Sequence, residues 1–206
     1  MPIWKIILLI TGIIALLVAL VSFVWTWVKK NKLIKKYNFE HQSQNYDQWI
    51  DLKSQVTELE SDIWLVESLE FVINKIRETN SKTNLFVEKD GIVACLSQKN
   101  IQNSINTVFE SHLDQNSLAK NIEKLQINNL NYTSHCEAFF DFILISAEIN
   151  PKNFQEFLEK VKIGGHLIWK YKKKQRRAIL KMLKLHKIHF DEFFYYDFLI
   201  IQKKIN

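Results

Sequence analysis

The sequence predicts an α/β domain, a mostly parallel sheet of seven strands closed by a C-terminal antiparallel hairpin, preceded by a membrane-spanning helix and amphipathic helices. Three observations carry this expectation. An uninterrupted stretch of uncharged, largely apolar residues runs from Ile6 to Val28. Beyond residue 83, short runs rich in Phe, Ile, Leu and Val alternate with stretches of helical period. The last two of those runs adjoin with no helix between them.

The first apolar run is long enough for a bilayer, spanning roughly 34 Å at about 1.5 Å per helical residue. A cleaved signal peptide carries its basic residues before a shorter run, whereas here the basic cluster follows, so a retained anchor is expected. Lys29, Lys30, Lys32, Lys35 and Lys36 outnumber the single Lys5 on the other side. The positive-inside rule therefore predicts a single-pass protein of the cell membrane, with the N-terminus outside and the body in the cytoplasm. Residues 6–28 would contact the lipid bilayer, with Trp4 near one interface and Trp25 and Trp27 near the other. Residues 1–36 are thus read as anchor and basic juxtamembrane segment, and 37–83 as polar linker and amphipathic helices.

Within that second segment, 38–46 is polar and reads as the linker. Leu52, Val56, Leu59, Ile63 and Val66 then recur at helical spacing, and the stripe drifts on through Leu69, Ile73 and Ile76. This predicts one long or two consecutive amphipathic helices over 47–79, packed on a core or, alternatively, in a short dimeric coiled coil. After the break at 80–83, strands are expected at 84–88, 105–110, 130–135, 140–146, 165–170, 189–195 and 197–203. Helices are expected at 91–100, 113–127, 151–162 and 172–187, the third with Asn150 as cap and Pro151 at its first position.

Composition narrows the function. Hydrophobic residues make up 47% and charged residues 24%, ordinary for a globular chain and incompatible with wholesale disorder. Four glycines leave little material for a phosphate-cradling loop, and Cys95 and Cys136 stand apart, so no CxxC site exists. The net charge of +6 is segmented. Six lysines without an acid precede residue 37, and nine basic residues without an acid fill 170–187. The intervening 37–169 is acidic, so the chain is no uniformly basic nucleic-acid binder. The segment Lys170–Lys187 is read as a solvated helix face, an anionic-lipid contact or an RNA contact. His41, His112, His135, His166, His186 and His189 form no HExxH or paired spacing, and GxxxxGK[ST] and GxSxG are absent. No metal is expected, and His135 and Cys136 read as a strand-end polar residue and a buried thiol.

The order of elements resembles the class I S-adenosylmethionine-dependent methyltransferases, Rossmann-like sheets marked by a terminal hairpin. The stretch FDFILISAEINPKNFQEFLEKVKIGGHLIWK (140–170) is similar to the fourth strand, following helix, Gly-Gly turn and fifth strand of small O-methyltransferases. The resemblance covers roughly residues 60–206, with 84–206 as the Rossmann-like domain. Overall the chain looks like small membrane-anchored methyltransferases of mollicutes. It implies S-adenosylmethionine as cofactor, bound beyond the carboxyl ends of the strands near the switch in strand order. Glu88, Asp90 and Gly91 would then form the first turn, Glu110 would meet the ribose hydroxyls from the end of the second strand, and Glu137 would meet the adenine amino group. Ser146 stands where metal-dependent members carry an aspartate. The family's first turn reads acid-x-Gly-x-Gly-x-Gly, whereas here VEKDGIVACL holds Gly91 alone. No general base, methyl acceptor or oligomeric state is legible. The sequence thus leaves an enzyme, a non-catalytic membrane-tethered scaffold, and an RNA-binding membrane protein as the readings in play.

Overall fold

The computed structural model describes residues 2–44, 46–57, 59, 64–150, 153–193 and 197–203. They fall into two compact units, residues 1–51 and 52–206. The first contains α1 (Ile3–Gln44) and the start of α2 (Tyr46–Thr57). Its portion Ile3–Lys29 is one helix long and apolar enough to cross a membrane, with side chains such as Leu17, Phe23 and Trp25 exposed. The polar stretch expected as a linker is helical up to Gln44 and again from Tyr46. The stretch 38–44 contains no proline or glycine to break a helix, so its polar composition does not stop α1 from continuing through it.

Two amphipathic helices follow, α2 and α3 (Val66–Glu78). Their stripe is core: Leu52, Val56, Leu59, Leu69, Ile73 and Ile76 are buried and Val66 is half-buried, while Ile63 lies outside the described residues. Ser68 closes the first turn of α3, accepting from the Leu65 N–H at 3.1 Å and donating to the Leu65 carbonyl at 2.7 Å. Asn80, at φ 48°, then turns the chain into the sheet.

The sheet contains β1 (Thr83–Val87), β2 (Ile105–Phe109), β3 (Asn131–Thr133), β4 (Phe140–Ile145), β5 (Val161–Lys170), β6 (Asp191–Phe193) and β7 (Phe198–Gln202). Their spatial order is β3-β2-β1-β4-β5-β7-β6. Pairings among the first five are parallel, and β7 runs antiparallel to both β5 and β6. The mostly parallel Rossmann-like sheet with its C-terminal hairpin is therefore as the sequence predicts. Helices α4 (Ile92–Asn100), α5 (Gln115–Leu125), α6 (Phe154–Glu159) and α7 (Arg176–Leu185) connect the strands. Side chains alternate between the sheet faces. Phe86, Val108, Phe142, Leu144 and Ile168 join α3, α4 and α5 in one core; Leu85, Ile143, Ile145, Leu167 and Trp169 join α6 and α7 in the other.

Two local readings change. The helix expected at 151–162 is Phe154–Glu159, and it follows Asn153 rather than Asn150; Pro151 lies outside the described residues. The Gly-Gly pair sits within β5 rather than ahead of it. Phe140 pairs with Val161 and Phe142 already with His166, so β5 carries a bulge there. Gly164 has φ +82°, and a Cβ on Gly165 would lie 2.7 Å from the Asp141 carbonyl, which explains why both positions lack side chains. Next to the bulge, the Asp141 carboxylate accepts from the Lys82 and Thr83 N–H groups (3.0 and 2.9 Å) and pairs with Lys162 at 2.9 Å, stapling the amino ends of β1, β4 and β5.

Candidate functional site

Strand register sets the site. Phe86 is level with Val108 and Leu144, and Val87 with Ile145, so the residues immediately beyond these strands, Glu88, Glu110 and Ser146, share one row at the carboxyl edge. β1 lies between β2 and β4, with the chain order running outward to β2 and β3 on one side and to β4 and β5 on the other, so this row flanks the switch point where a parallel sheet opens a crevice.

Glu88 is fully buried, and its two carboxylate oxygens accept from the Val93 N–H at 3.1 Å and the Ala94 N–H at 2.8 Å, capping the first turn of α4. Burial pushes its pKa up to about 8, with the neighbouring Asp90 charge adding to the effect and the two N–H bonds opposing it. Asp90 is half-buried and is also raised, chiefly by burial. Gly91 has φ +69°, and a Cβ there would stand 2.3 Å from Leu118 Cδ1. The missing side chain therefore makes room for α5 against the turn.

Helix α5 fixes the turn further. Asp114 caps α5 by accepting from the Asn116 N–H at 3.1 Å and from Ser117 Oγ at 2.8 Å, while its own N–H donates to the Lys89 carbonyl at 2.8 Å. Asn121 Nδ2 donates to the Asp90 carbonyl at 2.9 Å. Sequence reading passed over these residues, although Asp-Gln-Asn-Ser ahead of an amphipathic stretch is an N-cap signal.

Glu110 opens a short 3₁₀ turn after β2 and is exposed, its carboxylate making no hydrogen bond among the described residues. Ser146 is half-buried, and its N–H and that of Ala147 both donate to the Val87 carbonyl, at 2.9 and 3.0 Å, tying the ends of β1 and β4. Glu137 is not brought to this row. It stands three residues ahead of β4, its carbonyl accepts from Lys160 Nζ at 3.1 Å, and it borders a groove of about 440 Å³ shared with Thr83, Ile105 and Phe140 at the opposite, amino edge. No helix separates β3 from β4, so the connection has already crossed the sheet by residue 137. His135 is exposed and Cys136 buried; burial pushes the Cys136 thiol up to about 11.

At the ends of β4 and β5, Glu148 is held by Lys172 at 2.7 Å and Lys174 at 3.3 Å. Tyr171 donates to Glu192 Oε1 at 2.5 Å, and Arg176 meets both Glu192 oxygens, at 2.6 and 2.7 Å, locking the start of α7 against β6. Among the described residues, no cluster of three His, Cys, Asp or Glu side chains could hold a metal ion.

No protein-family profile matches the chain. No curated protein matches it in sequence. Solved structures do match in shape. A Staphylococcus aureus protein bearing the name caffeoyl-CoA O-methyltransferase superposes with a TM-score of 0.57 at 16% identity, over 82% of this chain and 98% of that one. An O-methyltransferase from Bacillus cereus, in complex with S-adenosylhomocysteine (SAH), gives 0.52 at 13% identity over 75% and 88% of the two chains. The SAH-bound methyltransferase PaMTH1 from Podospora anserina gives 0.52 at 12% identity over 78% and 87%. The fold is the one these methyltransferase structures share.

Proposed function

We propose that residues 52–206 form an S-adenosylmethionine-dependent methyltransferase carried on a membrane-anchoring helix. The observation that carries this reading is the row Glu88, Glu110 and Ser146 at the switch point of a sheet with this strand order. The cofactor would supply an activated methyl group. Glu110, exposed and with an open carboxylate, suits a pair of ribose hydroxyls. The half-buried Asp90 would supply the negative charge beside this turn that favours a sulfonium cation. Methyl transfer is a direct displacement, so alignment and water exclusion account for much of the rate, and a named base is not a requirement. Ser146 and the lysine-paired Glu148 offer no carboxylate pair for a divalent ion, which favours metal-independent transfer.

A second reading, a non-catalytic scaffold, is favoured by one feature: the oxygens of Glu88 are already engaged and the space at Gly91 is filled by Leu118. Thermal unfolding of the full chain with and without SAH separates the two. At about a hundred times Kd, binding adds about 2.7 kcal/mol and raises the melting temperature by roughly 5–10 °C. No shift at any soluble concentration favours the scaffold.

The anchor reading rests on the exposed apolar helix Ile3–Lys29 and on the five lysines from Lys29 to Lys36. It places the body in the cytoplasm. Protease added to intact cells is expected to spare residues 37–206, and their digestion without permeabilisation would reverse the orientation.

A further inference from the structure

We infer that the outer face of α7 docks on an anionic bilayer surface; this rests on the membrane-anchor reading. Of the basic residues in 170–187, Lys172, Lys174 and Arg176 are engaged by Glu148 and Glu192, and Lys170 packs over Trp64 and Phe198. That leaves Lys173, Arg177, Lys181, Lys184 and Lys187 exposed and without an ion pair among the described residues, and of these Arg177, Lys181 and Lys184 stand at i, i+4 and i+7 on α7. Ile179 and Leu183 are buried, so helical geometry puts the three cations on the side opposite the core. The Arg176–Glu192–Tyr171 bonds fix the start of the helix, so the row is presented rigidly.

A solvated face needs cations but has no use for Leu185, which is 76% exposed beside them. A cationic row with an apolar neighbour matches a headgroup layer, where phosphates meet the charges and the leucine enters the acyl boundary. RNA would use the charges and leave the leucine in water. The chain also carries its own apolar helix, so a bilayer is the polyanionic surface it would always have at hand.

The test uses the full chain with an environment-sensitive fluorophore on Leu185→Cys, the native Cys95 and Cys136 being buried. It is reconstituted into vesicles of phosphatidylcholine alone or mixed with phosphatidylglycerol. Emission is expected to shift to the blue only in the anionic vesicles, and to revert at high salt. Arg177→Gln/Lys181→Gln/Lys184→Gln should lower the docked-to-undocked ratio on the order of a hundredfold, at about fivefold per cation. Equal emission in both vesicles, with the chain retained through alkaline extraction, overturns docking while the anchor stands. A chain released by alkaline extraction overturns the anchor reading and docking with it. Displacement of the shift by polyuridylate at low concentration replaces the lipid surface with RNA.

Discussion

Glu88→Ala is expected to lower the unfolding free energy of the body by about 3–5 kcal/mol, measured by chemical denaturation of the full chain in detergent micelles. The variant leaves the Val93 and Ala94 N–H groups without their acceptor in the core. Glu88 also predicts a pH signature. Its folded pKa, pushed up to about 8 by burial, lies above the ordinary value of about 4.3 for an unfolded glutamate. The folded state therefore holds the proton more tightly, and stability declines as pH rises between those two values. Asp90, also raised by burial, acts in the same sense. Glu88→Gln should flatten most of that decline at a smaller cost, because its amide oxygen still accepts one of the two N–H groups. A Glu88→Ala variant as stable as the parent would mean that the cap contributes nothing.

Gly91→Ala is expected to cost about 2–4 kcal/mol, from two separable sources. A side chain at φ +69° costs about 1–2 kcal/mol, and the new Cβ, 2.3 Å from Leu118 Cδ1, adds an overpacking term of similar size. Leu118→Ala alone opens a cavity costing about 2–5 kcal/mol, since Leu118 is 1% exposed. In the double variant the new methyl occupies part of that space, so the combined cost should fall short of the sum by about 1 kcal/mol or more. Strict additivity would place the whole effect of Gly91 in its backbone conformation.

Period and order made most of the fold legible. Apolar runs of strand length separated by helical stretches placed all seven strands, and the absence of a helix between the last two marked the hairpin. What local pattern could not supply was depth. Gly91 reads in sequence as a cofactor glycine, but its packing role depends on Leu118, brought in by α5. Glu88 reads as a strand-end acid, and only tertiary structure reveals that it is buried on the α4 N-terminus. Glu137 is set at the adenine only by the family resemblance, as a residue following the short third strand. The direct β3-to-β4 connection, which lacks a helix, delivers it to the amino edge. Asp141 sits within the apolar FDFILI strand, and its three carboxylate partners, Lys82, Thr83 and Lys162, come from segments far away in sequence or across the sheet. Glu110 and Ser146, by contrast, follow from the family resemblance applied at strand ends, and strand register sets them in one row with Glu88.

Calorimetric titration of the full chain with SAH, run alongside Glu110→Ala, tests the cofactor claim most directly. Glu110 is exposed and makes no hydrogen bond among the described residues, so its removal should leave the melting temperature unchanged. Saturable binding to one site is expected, weakened about tenfold to a hundredfold in the variant, the equivalent of roughly 1.5–3 kcal/mol for hydrogen bonds to a charged group. Absence of binding at millimolar SAH would contradict the methyltransferase reading, and equal affinity in a folded Glu110→Ala would move the ribose site away from the end of β2.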